Sequence, residues 1–195
     1  MRDLKTGDIL YRKGDSRGPF NIPVSKLIAV LTDSYYSHAS IVLKEGNVTY
    51  VVEVSENGTD KITLEKWECW CVENFYSVYR LNQKIDENKV RRQIDLFLKL
   101  DPDYDSNFDD PNKSYCTESV AEILFNAGYY NLFTPKKIKD IITFRIYCIM
   151  YPLNFVVKTL TGKGLPMNKP LYFVGNEKKG MLSSNRLHKV KDVYL

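Results

Sequence analysis

The feature that most constrains this chain is the segregation of its two hydrophobic periodicities. Strand-like patterns crowd the chain as far as Leu81, and helical patterns take over from Asp86. Gly7-Asp8-Ile9-Leu10-Tyr11 reads as a turn running into a short apolar strand. Residues 12–21 hold two Gly, a Pro and four charges, and read as loop. From Val24, apolar residues recur at Leu27, Ile28 and Leu31, the one-face spacing of a helix, and residues 32–37 are loop again. His38–Leu43 and Val48–Val54 read as strands joined through Lys44-Glu45-Gly46-Asn47, a hairpin. A turn at Glu56-Asn57-Gly58 follows, and Phe75–Leu81 is another strand, rich in aromatic and β-branched residues.

Beyond that point Val90, Ile94, Phe97 and Leu98 form one stripe of a long helix. Residues 101–113 are an acidic, Pro-containing loop, of a length that in a compact domain signals function or mobility. The next helix starts about Cys116, turns Val120, Ile123 and Leu124 inward, and has Gly128 as its C-terminal stop. Thr134-Pro135 reads as another helix start. After Pro152 the chain becomes rich in Gly, Pro and Lys, with one strand-like piece at Leu171–Val174. From Asn176 to the end it reads as a basic, peripheral tail. Strands first and helices later predict an α+β domain, an antiparallel sheet with helices packed to one side. The 195 residues divide into one main domain over 1–150 and an extension, 151–195, packed on it.

The bulk numbers exclude more than they assert. A formal charge of +4 with scattered basic residues, and no helix-turn-helix, zinc or RNA-binding signature, argues against nucleic acid. Cys69, Cys71, Cys116 and Cys148 include no Cys-x-x-Cys pair, and the two histidines, His38 and His188, are far apart, so neither a metal nor a cofactor is expected. Around Gly162-Lys163 the P-loop pattern fails, with Val157 at the upstream glycine position and Gly164 at the Ser/Thr position. No signal peptide precedes the first strand, so a reducing, cytoplasmic setting is expected. The apolar stretch from Ile138 to Val157 carries Lys139, Asp140 and Arg145 and is broken by Pro152, which favours a buried or surface-lying segment over a membrane span.

The chemistry gathers at four residues. His38 stands first in an apolar strand, and by itself fits a half-buried histidine satisfied by a carbonyl. Cys116 by itself fits a small inert core residue. At a helix N-terminus, however, a thiol faces the positive end of the helix dipole, and a rigid imidazole beside it would make it a nucleophile. Glu53 interrupts the apolar run Tyr50-Val51-Val52-Glu53-Val54 on the adjacent strand. It is either a solvent-facing edge residue or the carboxylate that holds the histidine tautomer. Tyr104 lies in the acidic loop upstream of Cys116. It either packs its ring on the sheet or helps bind an oxyanion together with the Cys116 N–H.

Read in order, Gly-Asp-Ile-Leu, Ser-His-Ala, Val-Val-Glu-Val and then Tyr-Asp…Phe…Tyr-Cys-Thr-Glu-Ser resemble the permuted branch of the NlpC/P60 papain-like superfamily. The resemblance is to its YiiX/YaeF-like group, which has bacterial and poxvirus members, and it spans about residues 5 to 140. It implies a papain-like sheet or partial barrel, with Cys116 as nucleophile, His38 as base, Glu53 as the polar third member and Tyr104 as the tyrosine upstream. Permutation accounts for the order His, Glu, Cys. Three positions depart from the family pattern: Ser40 where Gly is common, and Thr117 and Ser119 in the helix after the cysteine. The implied activity is a cysteine hydrolase cleaving an amide in a peptide, isopeptide or small molecule. Acyltransferase relatives imply a second reading, lipid-ester chemistry at a membrane surface aided by the basic tail. A third is a non-catalytic papain-like binding module, with a virion setting if the source is viral.

Overall fold

The computed structural model describes residues 3–14, 26, 29–30, 32–105, 110–141 and 168–195. Six strands make its centre: β1 (Ile9–Arg12), β2 (His38–Glu45), β3 (Val48–Ser55), β4 (Gly58–Thr63), β5 (Phe75–Leu81) and, last in the chain, β8 (Leu187–Tyr194). They form an open sheet in the order β4-β3-β2-β1-β5-β8, antiparallel throughout. The helices whose residues are all described are α1 (Leu64–Glu68), α2 (Glu87–Leu100), α3 (Cys116–Asn126) and α4 (Ile138–Ile141). The short strands β6 (Lys136–Lys137) and β7 (Pro170–Leu171) pair in a separate two-stranded ladder.

Strand alternation sorts the core onto two faces. Ile9, Tyr11, Ala39, Ile41, Leu43, Val52 and Val54 pack against the inward stripes of α2 (Val90, Ile94, Phe97) and α3 (Val120, Ile123, Leu124). On the other face, Leu10, Val42, Val51, Tyr76 and Val78 pack with Leu4 and with Trp67 of α1. The two long helices therefore share one side, as the sequence predicts, while the short α1 covers the other. The helix ends follow local chemistry. Asp86 caps α2 by accepting from the N–H groups of Asn88 and Lys89. After α3, Gly128 at φ +95° allows Gly128 N–H to reach Phe125 O and Tyr129 N–H to reach Leu124 O, at 2.9 and 3.0 Å, a Schellman ending.

Several expectations change. The 38–54 hairpin turns more tightly, with Glu45 opposite Val48. β4 and α1 were not legible, because Gly58–Thr63 has Ile62 as its one apolar residue and α1 is a single turn after Thr63. No helix begins at Thr134-Pro135: Lys136–Lys137 is strand, and α4 starts at Ile138. The strand-like piece 171–174 is shorter and earlier, at Pro170–Leu171. The basic tail is not peripheral, since Leu187–Tyr194 pairs along β5, with a register shift at Val78/Tyr79. That shift breaks the alternation by which a half-buried strand is recognised. Of the helix expected from Val24, Lys26, Ala29, Val30 and Thr32 are helical, while Val24, Leu27, Ile28 and Leu31 lie outside the described residues. The apolar stretch beyond Ile141 lies outside them too, and among the described residues no helix is long and apolar enough to cross a membrane.

Because α3 is held by its packing on the sheet, Leu124→Ala, at a fully buried position, should lower the unfolding free energy by about 2–5 kcal/mol. Urea denaturation followed by circular dichroism would measure it, and a loss under about 1 kcal/mol would show that α3 is not anchored there.

Candidate active site

Cys116 is the first residue of α3, with Tyr115 at the N-cap. It meets the sheet where β2 and β3 part. Their ladder begins at Ile41↔Val52, so the Ala39 N–H lies beyond it and is given to the Cys116 thiol. His38, which opens β2 opposite Arg12 of β1, hydrogen-bonds the same thiol. Its Nε2 is 2.8 Å from Glu53 Oε2, which leaves Nδ1 for Cys116.

Glu53 is 2% exposed and accepts from four side chains. His38 Nε2 is the first, Ser40 Oγ lies at 2.6 Å, Trp67 Nε1 at 2.6 Å, and Arg12 Nη2 at 3.1 Å from Oε1. His38 and Ser40 alternate along β2 and so share a face, and the Ile41↔Val52 pair puts Ser40 and Glu53 next along. Arg12 is clamped in turn. Its Nη1 donates to Trp70 O at 2.9 Å, and its guanidinium stands 5.1 Å from the Trp67 ring centre.

These contacts set the charges. Burial pushes the Glu53 carboxyl up, but His38, Arg12 and the Ser40 hydroxyl outweigh it and hold it well below the usual carboxylate range. An ionised Glu53 can only accept, so Nε2 of His38 carries the proton. Burial pulls His38 down, whereas the charges of Glu53 and Cys116 raise it, against Arg12, to about 9. For Cys116, burial raises the thiol; the His38 charge and hydrogen bond and the Ala39 N–H overcome this, and the net direction is down. The helix N-terminus acts in the same sense.

Tyr104 forms a bridge with Ser114, which ties the two arms of the 101–113 loop together just before Cys116. Asp105 N–H to Ser114 O (2.9 Å) and Ser114 N–H to Asp103 O (3.0 Å) complete the tie, and Thr59 Oγ1 of β4 donates to Pro102 O at 2.9 Å. Burial, then the negative groups Cys116, Glu56 and Asp105, push the Tyr104 phenol up and keep it a proton donor. In the first turn of α3, burial pushes Glu118 up to about 7.

Of the four residues singled out in the sequence, His38 and Tyr104 thus lie by the Cys116 thiol, and Glu53 lies behind the His38 ring. Arg12, Ser40 and Trp67 were missed as partners. Ser40 had a signal, being one strand period from His38. Arg12 and Trp67 had none, because their approach to Glu53 depends on cross-strand register and on α1.

The depressed Glu53 carboxyl ties the cluster to folding. Its contribution is complete above its unfolded value of 4.5 and is lost as pH falls through the lower folded value. Urea titrations of the parent and Glu53→Gln should show a stability gap that is widest near neutrality and closes toward acid. A gap independent of pH would mean that the carboxylate is not held as an anion.

The sequence profile of the permuted papain-like amidase enzymes (YaeF/YiiX, C92 family) matches residues 3–152. A crystal structure described as that of metalloprotein yiiX from Escherichia coli O157:H7 superposes with a TM-score of 0.77 at 21% identity, covering 100% of each chain. That likeness is one of fold. No curated protein sequence matches the chain. The word metalloprotein describes that relative. In this chain no group of three or more His, Cys, Asp or Glu is placed to hold a metal ion among the described residues, and both ring nitrogens of His38 are engaged, so these residues do not fit a metal. The residues matched by the profile, together with the shared fold, place the chain in the permuted papain-like amidase family of the YaeF/YiiX type.

Proposed function

We propose that this protein is a cysteine amidase that works through Cys116, His38 and Glu53. The observation carrying the reading is the unbroken line from the Cys116 thiol through the His38 ring to the buried Glu53 carboxylate. Proton transfer from Cys116 to Nδ1 produces a thiolate–imidazolium pair. The thiolate adds to the amide carbonyl, and the oxygen takes up the negative charge. The Cys116 backbone N–H, one of the unpaired donors of a first helical turn, and the Tyr104 hydroxyl are the groups available to meet it. The C–N bond then breaks, its electron pair stays on nitrogen, and that nitrogen takes the Nδ1 proton and leaves as amine. Water next gives a proton to Nδ1 and its hydroxyl to the acyl carbon, and the C–S pair returns to sulfur. The substrate class is a peptide, isopeptide or small amide, and negative charge at Glu56 and Asp105 around Tyr104 favours one bearing an amine.

Iodoacetamide labelling followed by mass spectrometry tests the nucleophile. Cys116 should label fast near pH 6, ahead of Cys69, Cys71 and Cys148, and His38→Ala should remove the advantage. Equal labelling of Cys116 and Cys69 would sink the catalytic reading in favour of a binding module.

On a panel of aminoacyl-coumarin amides, Cys116→Ser should lose at least about 1,000-fold in kcat while remaining folded. The parent's rate should decline on the alkaline side as His38 loses its proton at about 9. Full activity in Cys116→Ser would remove the nucleophile assignment.

A further inference from the structure

The amidase reading assigns no role to Arg12, although this cation is 8% exposed and lies against the site. We propose that Arg12 is the resident counter-cation of Glu53, keeping that carboxylate ionised after His38 has given its proton away and so holding His38 as the Nε2–H tautomer with a bare Nδ1 facing Cys116. This rests on the amidase reading and adds a positioning residue to it.

The argument is one of charge balance. Before attack, Cys116⁻ and His38⁺ form one neutral pair, and Glu53⁻ and Arg12⁺ form a second. Once the amine has left with the Nδ1 proton, the thioester and His38 are both neutral, yet Glu53 is still buried. Without Arg12 it would be an uncompensated charge at 2% exposure, a strongly unfavourable state. A proton taken up from solvent at Nδ1 would then let the Nε2 proton pass to the carboxylate, 2.8 Å away between heavy atoms. The ring would be left as the Nδ1–H tautomer, with no lone pair facing the water that must be activated. Asp60 sharpens the need, because it stands opposite Glu53 on β4 and its carboxyl feels the Glu53 charge, with Lys66 acting on it in the other direction. Among the described residues, the remaining donors to Glu53 supply no cation: Ser40 and Trp67 are neutral, and around the thiol stand Tyr11, Tyr104 and Tyr115. The geometry holds Arg12 to this task from three sides, by Glu53 Oε1, by Trp70 O and by the Trp67 ring.

The chain has two histidines, which makes the test direct. In full-length protein carrying ¹³C-labelled histidine, the His38 ring signal is titrated by NMR, with His188→Gln identifying the other signal. In Arg12→Gln the His38 midpoint should rise above the parent's by about one unit, since a nearby positive charge has gone. In Arg12→Lys it should return toward the parent. Loosening of the fold moves His38 the opposite way, toward 6.5. Turnover should follow, with kcat of Arg12→Gln down by about 100-fold, KM little changed and the alkaline decline moved upward. An unmoved midpoint in Arg12→Gln, or a fall toward 6.5 in both variants, overturns the Arg12 role. Failure of the amidase reading shows itself separately, in ordinary labelling of Cys116 in the parent protein.

Discussion

The burial of one carboxylate organises this molecule. Glu53 sits in the interior with His38, Ser40, Trp67 and Arg12 all donating to it. An ionised carboxylate at that depth is tolerable only when its lone pairs are filled and a cation is close. Meeting those demands recruits β1, β2 and α1 to a single point on β3. The same contacts that make Glu53 acceptable also orient the imidazole. Stability and site geometry therefore share one set of hydrogen bonds.

The second constraint is where the sheet opens. If the β2–β3 ladder ran the full length of β2, the Ala39 N–H would be spent on β3. Because the ladder begins at Ile41, the end of α3 docks into the gap and the thiol receives that N–H. The helix cannot slide out of this position, since Val120, Ile123 and Leu124 are buried against Ile9, Ala39, Ile41 and Val54. Helix packing over the sheet thus sets where a sulfur atom lies relative to a ring nitrogen.

The departures from the family pattern acquire a physical meaning from these contacts. At Ser40, where the resemblance implies a glycine, the hydroxyl fills a lone pair of Glu53 at 2.6 Å. A glycine there would leave that lone pair to another donor. Ser119, in place of an apolar residue, turns its hydroxyl to the Cys116 carbonyl at 2.8 Å, within the helix that carries the thiol. Thr117 donates to Tyr172 O at 2.8 Å, joining that helix to the segment after β7.

Much of this was legible in the chain itself. The apolar, aromatic and β-branched runs at 38–43, 48–54 and 75–81 and the period-3.6 stripe at Val90, Ile94 and Phe97 are local patterns, each produced by what a single element buries. They determined the α+β class and the elements that carry His38, Glu53 and Cys116. Residues without a local pattern stayed hidden. β4 has a single apolar residue, β8 is an edge strand interrupted by a register shift, and α1 is one turn long. The charge states were hidden as well. Whether Glu53 faced solvent or a histidine, and whether Arg12 lay in a loop or against a carboxylate, depended on cross-strand register and on a tryptophan from a helix with no strong sequence signal. A sequence determines what each segment buries. Which buried group meets which is decided when the segments pack, because ionisation and hydrogen bonding depend on neighbours distant in the chain.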